Sequence, residues 1–78
     1  NNRAAAYIDL GRPEEALRDT EEVLRIDDER ASAFGIRALA YTYLGEDDMA
    51  KKESDKASRL GFDKHTLYHL LLEAEKQR

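Results

Sequence analysis

The sequence predicts an all-α protein in which antiparallel helical hairpins stack side by side. The main observation is a repeat, because seven residues recur at a constant spacing of 34 positions, as between Arg3 and Arg37. The residues are Arg3, Ala4, Ala6, Tyr7, Leu10, Gly11 and Ala16, which return as Arg37, Ala38, Ala40, Tyr41, Leu44, Gly45 and Ala50. A second observation is the helical spacing of apolar residues on either side of each repeated glycine. A fixed period of this length indicates a repeat array.

The composition narrows the class of protein. A chain of 78 residues forms one small domain at most, so stacking between hairpins must supply its core. The net charge of −4 is mild and both signs are interspersed, which argues against a nucleic-acid or anionic-membrane partner. No apolar run is long enough for a transmembrane helix. The absence of Cys excludes a disulfide or a thiolate metal site and fits a cytoplasmic protein.

The first predicted hairpin occupies the opening third of the chain. It begins at Asn1 without a Met, and we expect further residues upstream in the parent protein. Tyr7 and Leu10 share one face of its first helix, which Gly11 ends. The apolar face of the second helix continues at helical spacing as far as Ile26.

The second predicted hairpin repeats this layout. The pair Asp27-Asp28 is expected to cap a third helix over residues 29–44. That helix has two apolar stripes, so either both stripes pack against other helices, or one packs and the other binds a partner. The stripes are Ala31, Phe34, Ala38 and Tyr41, and Ile36, Leu39 and Tyr43. After Gly45, Asp47 or Asp48 is expected to cap a fourth helix whose charged residues, Glu53 among them, face outward.

A fifth helix is predicted to close the array. Gly61 can end the fourth helix in a left-handed conformation, Phe62 can fold back on that helix end, and Asp63 can cap the next helix. Tyr68 repeats Phe34 at the same period, but beyond it the repeat decays. We therefore expect residues 64–76 to form a capping helix with a charged outer side. That side carries Glu73, Glu75, Lys76 and Arg78.

This pattern resembles the tetratricopeptide repeat. The resemblance rests on Phe34-x-x-Arg37-Ala38-x-x-Tyr41, Leu44-Gly45 and Ala50, and on Arg3-Ala4-x-x-Tyr7, Leu10-Gly11 and Ala16. It covers nearly the whole chain and implies a short right-handed superhelix of about two repeats plus a terminal capping helix. Residues 1–30 form the first repeat, without its opening turn, residues 31–63 the second, and residues 64–78 the capping helix.

The resemblance also implies a site. In this family the first helix of each hairpin lines a concave groove that binds proteins, so we expect a non-catalytic module that binds a peptide or helix of a partner protein. In the register of the family's repeat, the residues that lie on that wall are Asn2, Ala5, Asp9, Ile36, Leu39, Tyr43, His69, Leu70 and Glu73. The middle of this surface is apolar and its rim is polar, as in peptide-binding sites. Alternatively, an adjacent helix or an upstream segment buries Ile36, Leu39 and Tyr43.

A narrower hypothesis, recognition of a chaperone C-terminus, finds little support. Asn2 matches the asparagine with which chaperone-binding members of the family help hold a peptide's terminal carboxylate. Those members also place basic residues in the next repeat, and the matching positions here are Ser32 and Ile36. The resemblance therefore implies that this carboxylate clamp is broken.

Metal binding and catalysis are not expected. His65, His69 and Glu73 share one helical face at a spacing able to bind a divalent metal, but no fourth ligand is evident. We therefore predict a solvated face and no cofactor. The sequence has no Cys and no Gly-rich phosphate loop, and its Ser residues lack any positional hint of a paired base, so we do not expect an enzyme.

The two repeated arginines favour structural roles. Arg3 and Arg37 are expected to stack on core aromatic rings or to pair with Asp19 and Glu53, in preference to binding a ligand. Three functional hypotheses remain: recognition of a peptide or helix in the groove, self-association or docking inside a larger protein, and regulation of an enzyme elsewhere in a longer chain.

Overall fold

Five helices follow one another in a computed structural model that describes residues 2–78, leaving out the side chain of Asn2. They are α1 (Asn2–Asp9), α2 (Pro13–Ile26), α3 (Ala31–Tyr43), α4 (Asp47–Arg59) and α5 (Lys64–Gln77). Residues 2–78 contain no strand, so the predicted all-α fold is confirmed. The helices α1 and α2 form one hairpin, α3 and α4 form the next, and α3 packs between α1 and α5. Within the same range no helix combines the length and apolar character needed to cross a bilayer.

The two hairpins turn with the same geometry. Gly11 and Gly45 have φ angles of +74° and +77°, a left-handed conformation that costs other residues roughly 1 to 2 kcal/mol. The amide after each glycine donates a hydrogen bond back into the helix, from Arg12 N to Tyr7 O at 2.8 Å in the first hairpin. Gly61, with φ +107°, ends α4 in the same manner, which confirms its predicted left-handed cap.

Small side chains dominate the core. The buried alanines are Ala4, Ala16, Ala33, Ala38, Ala40, Ala50, Ala57 and Ala74. Because these side chains are short, neighbouring helices can approach to the usual ~8 to 10 Å. Tyr7, Phe34 and Tyr41 are half-buried. The repeated alanines Ala4 and Ala38, and Ala16 and Ala50, are therefore buried at matching positions, whereas Ala6 is exposed and its counterpart Ala40 is buried.

Each hairpin is tied together by an arginine that contacts both an acid and a tyrosine. Arg37 Nη2 lies 3.0 Å from Glu53 Oε1, and its guanidinium lies 5.7 Å from the centre of the Tyr41 ring. In the first hairpin Arg3 Nε lies 3.1 Å from Asp19 Oδ2, and its guanidinium lies 5.7 Å from the equivalent tyrosine ring. Both predicted roles of these arginines are confirmed, and they occur together.

The predicted N-caps of α3 and α4 are wrong. The two helices begin at Ala31 and Asp47, and no side chain caps either one. Asp27 instead accepts a hydrogen bond from the amide of Glu29 at 3.2 Å, which uses its oxygen in the turn before α3. The predicted cap of α5 is confirmed, because Asp63 accepts from the backbone amide three residues later at 3.2 Å.

Four side chains lie elsewhere than the sequence predicts. Leu10 and Ile26 are exposed, because α1 ends before Leu10 and α2 ends at Ile26. Glu53 is buried, because it pairs with the arginine of α3 described above. Arg78 does not face outward but donates hydrogen bonds to Asp47 Oδ1 at 2.7 Å and to a carbonyl of α3 at 3.1 Å. The hydrogen bond from Arg78 lowers the pKa of Asp47 below its ordinary value.

Candidate functional site

One face of the protein is a groove formed by α1, α3 and α5. Two adjoining depressions lie on it, with volumes of about 420 and 360 Å³. We call them together the concave groove. Its lining residues are Ala5, Ile8, Asp9, Ser32, Gly35, Ile36, Leu39, Tyr43, Phe62, Leu70, Glu73 and Gln77. Both depressions share Ile8, Asp9, Leu39 and Leu70, so the surface is continuous from one to the other.

The side chains in the middle of the concave groove also pack against the protein core. Ile36, Leu39 and Tyr43 are half-buried and pack against a buried cluster that includes Ile8 and Ala40. The same three side chains line the groove with their remaining surface. The structure therefore shows that part of each side chain packs in the core, while the rest forms the surface of the groove. Such anchoring holds the floor of the groove rigid.

A close approach of a ring to a helix shapes one end of the groove. The Phe62 ring lies against Gly35 of α3, where an added Cβ would come within 2.8 Å of Phe62 Cε2. A residue larger than glycine would push the ring away. The left-handed turn at Gly61 delivers Phe62 to this position directly after α4.

Hydrogen bonds between α3 and α5 form the other end. The Tyr43 hydroxyl donates to Gln77 Oε1 at 3.1 Å. One residue further on, Arg78 Nη1 donates to the Thr42 carbonyl oxygen and to Asp47. These contacts fix the C-terminal turn of α5 against the second hairpin, so the α5 wall of the groove is held at its end.

Carboxylates supply the charge that lines the groove. Asp9 lies at the last residue of α1, and Glu73 lies on α5. Both side chains are exposed. Glu73 has one distant ion pair, in which its Oε1 lies 3.9 Å from Lys76 Nζ. The arrangement offers apolar contact along the floor and hydrogen-bond acceptors on two walls.

The structure brings together most of the residues that the sequence register predicted for the site. Seven of them line the concave groove: Ala5, Asp9, Ile36, Leu39, Tyr43, Leu70 and Glu73. His69 lines neither depression, and its ring lies edge-on to Tyr68 with the centroids 6.0 Å apart. The side chain of Asn2 lies outside the described part of the chain.

Sequence reasoning missed several residues of the groove, two of which carried a usable signal. Gln77 lies 34 positions after Tyr43, so the repeat period alone identifies it. Ile8 lies between Ala5 and Asp9 on one face of α1, at a spacing of three from Ala5. Phe62 belongs to a turn, where helical periodicity has no meaning, and no signal in the sequence identified it.

The histidine-containing face of α5 shows no metal geometry. In the part of the chain that the structure describes, no group of three or more His, Cys, Asp or Glu residues is placed to hold a metal ion. His65, His69 and Glu73 are exposed along this face.

The fold and the groove define a helical-hairpin repeat protein with a concave face. A family model described as Tetratricopeptide repeat matches residues 1–30. The match supports a tetratricopeptide repeat over residues 1–30, and the second hairpin recurs with the same geometry at the repeat period. Such repeats generally mediate protein–protein interaction, and the family typically provides non-catalytic scaffolds.

A longer protein contains a similar segment. A "58 kDa phosphoprotein" of Plasmodium berghei is 33% identical over 63 residues, which cover 81% of this chain. The match spans 15% of the length of that protein. No solved structure matches the chain significantly.

Proposed function

We propose that the concave groove binds a peptide or a helix of a partner protein, and that the chain itself carries out no catalysis. The observation that carries this proposal is the continuous apolar floor formed by Ile8, Leu39 and Leu70, which two depressions share. Leu70 is 40% exposed although it is flanked by the anchored side chains of α3. A partner that covers this floor removes apolar surface from water, which favours binding by about 25 cal/mol for each Å² before the entropic costs of association are subtracted.

The architecture of the groove also supports a protein partner. Its apolar centre is surrounded by polar groups at Asp9, Ser32, Glu73 and Gln77, which is the usual arrangement of a protein interface. The floor is held in place by the core, so binding costs little reordering of the groove. We further propose that residues 1–30 and 31–63 act as two repeats and residues 64–78 as a capping helix. A cytoplasmic location stays a prediction.

Affinity capture from a cell lysate tests this proposal, with the chain compared against two groove variants and one control. Leu39→Lys and Leu70→Lys place a charge on the groove floor. Leu72→Lys is the matched control, because Leu72 lies on the same helix and is 36% exposed but lines neither depression of the groove. Circular dichroism confirms that each variant is folded, and light scattering reports its mass.

Groove recognition predicts a protein that is retained by the parent chain and by Leu72→Lys but lost by both groove variants. Leu70→Lys carries the greater weight, because Leu39 also packs against the core and its substitution can lower stability. A protein retained equally by all four chains would show that the groove is not the binding surface.

Self-association is the second candidate, and exposed apolar residues outside the groove favour it. Tyr68 and Leu72 on α5 and Ile26 at the end of α2 are exposed. If the parent chain is a dimer or larger, and Leu72→Lys or Tyr68→Lys returns it to a monomer, the α5 face is an assembly surface. The hypothesis of a regulatory module in a longer enzyme is tested by the sequence of the parent gene.

A further inference from the structure

We infer that the concave groove selects a basic peptide, in which apolar side chains in the centre are flanked by Lys or Arg. This inference rests on the proposed function and adds the chemistry of the partner. The inference depends on the sign of the charges that line the groove and on their position on either side of the apolar floor.

The charged residues that line the groove are of one sign. Asp9 lines both depressions and Glu73 lines one, and no Lys or Arg lines either. The two acids lie on α1 and α5, the helices that flank α3 on opposite sides, with Leu39 of α3 between them. A ligand that seats an apolar side chain against Leu39 therefore has a carboxylate within reach on each side.

Asp9 is a carboxylate without a counter-charge. It is exposed, and within residues 2–78 it forms no ion pair or side-chain hydrogen bond. It also occupies the final position of α1, where the helix dipole is negative, and the last turn of α1 contains no basic residue. A cation from a partner would compensate both the carboxylate and the helix end.

The positive charges of the protein lie away from the groove or are already neutralised. Arg78 lines a third depression next to the groove, which it shares with Asp9, but its guanidinium is held by Asp47 Oδ1 at 2.7 Å and forms no ion pair with Asp9. Exposed basic residues of α4 occupy the opposite side of the second hairpin, and α4 contributes no residue to the groove. They include Lys51, Lys52 and Arg59. The net charge of −4 also attracts a cationic peptide to the chain as a whole.

The test uses a phage-displayed library of random peptides as the probe, selected against the parent chain. Selected peptides are synthesised, and their affinities are measured for the parent, for Asp9→Lys, for Glu73→Lys and for the double variant. Glu75→Lys is the matched control, because Glu75 is exposed on the same helix but lines neither depression. Leu70→Lys reports whether the peptides bind in the groove at all.

We expect selected peptides to be enriched in Lys or Arg beside Leu, Ile, Met or Phe. Their affinity should fall about tenfold in the double variant, since two exposed charge pairs are lost and become repulsive. It should be unchanged in Glu75→Lys, and it should weaken as salt rises from about 0.05 to about 0.5 M.

The possible failures are distinguishable. Peptides that are acidic or uncharged, yet lost by Leu70→Lys, would overturn the basic preference and leave groove binding intact. Basic peptides that bind the double variant as tightly as the parent would also overturn the basic preference, because their charges would then contact a surface other than Asp9 and Glu73. A selection that yields no peptide, or peptides that bind Leu70→Lys as well as the parent, would overturn the proposed function and this inference together.

Discussion

The buried ion pair of the second hairpin makes the sharpest prediction about stability. Arg37 donates a hydrogen bond from Nε to Glu53 Oε1 at 3.1 Å, and its Nη2 forms an ion pair with the same oxygen at 3.0 Å. The two side chains are 16% and 9% exposed. Replacing Arg37 by Met removes both donors and leaves the carboxylate of Glu53 buried without a partner. Breaking a pair of this kind costs about 3 to 5 kcal/mol.

The matching arginine of the first hairpin provides the control. Arg3 makes the equivalent ion pair and ring contact, but its side chain is 76% exposed and that of Asp19 is 22% exposed, so removing the arginine opens the Asp19 carboxylate to water. Arg3→Met should therefore lower stability far less than Arg37→Met. In a domain of this size a loss of about 3 kcal/mol corresponds to a fall in melting temperature of roughly 12 °C or more.

Urea unfolding followed by far-UV circular dichroism measures the difference. The double variant Arg37→Met with Glu53→Met should recover most of the lost stability, because an apolar pair of similar volume leaves no buried charge unpaired. Equal losses for Arg37→Met and Arg3→Met would refute the reasoning, since they would show that the burial of Glu53 carries no energetic weight.

Three further predictions concern packing, a turn and pH. Ala38→Leu should destabilise the fold by about 1 to 3 kcal/mol in urea unfolding, because Ala38 is fully buried on α3. Gly45→Ala should cost about 1 to 2 kcal/mol by the same assay, since φ is +77° and the added Cβ meets no atom within 4 Å, which leaves backbone strain as the cause. The pKa of Asp63 is lowered by hydrogen bonds from Thr66, so its contribution to stability is present above the unfolded pKa of about 3.9 and is lost as the pH falls through the folded value.

Each of these predictions has its own control. Ala6→Leu adds the same side chain at an exposed position of α1 and should change stability little. Gly45→Asn should cost less than Gly45→Ala, because Asn tolerates the left-handed conformation. Asp63→Asn should lose less stability than the parent on acidification, measured as the urea midpoint between about pH 7 and about pH 2.5. Equal behaviour within any of these pairs would contradict the corresponding cause.

The repeat period predicted the parts of the fold that depend on recurrence. Ala4 and Ala38, buried at matching positions, and the left-handed turns at Gly11 and Gly45 could be located from the sequence, because the same physical constraint acts on both hairpins. The first residues of α3 and α4 could not be predicted from the sequence. An aspartate near a helix start either caps the helix or bonds within the preceding turn, as Asp27 does, and local sequence does not separate the two.

The sequence pattern also could not predict which charged side chain is buried. Glu53 lies among exposed charged residues of α4, so periodicity assigned it to the solvent. Its environment is set by Arg37, which approaches from another helix. In the groove, the repeat register correctly predicted the α3 residues around Leu39. It did not predict the wall at Phe62, because this side chain belongs to a turn and its position requires that Gly35 has no Cβ.

The most direct test of groove binding is an amide NMR titration of the isotope-labelled chain with a peptide selected by display. Recognition in the concave groove predicts chemical-shift changes concentrated at Ala5, Ile36, Leu39 and Leu70, with α4 unaffected, and no such changes when Leu70→Lys is titrated. Changes concentrated on α4 or on the outer side of α5, with the groove amides unmoved, would contradict the claim that this face is the binding site.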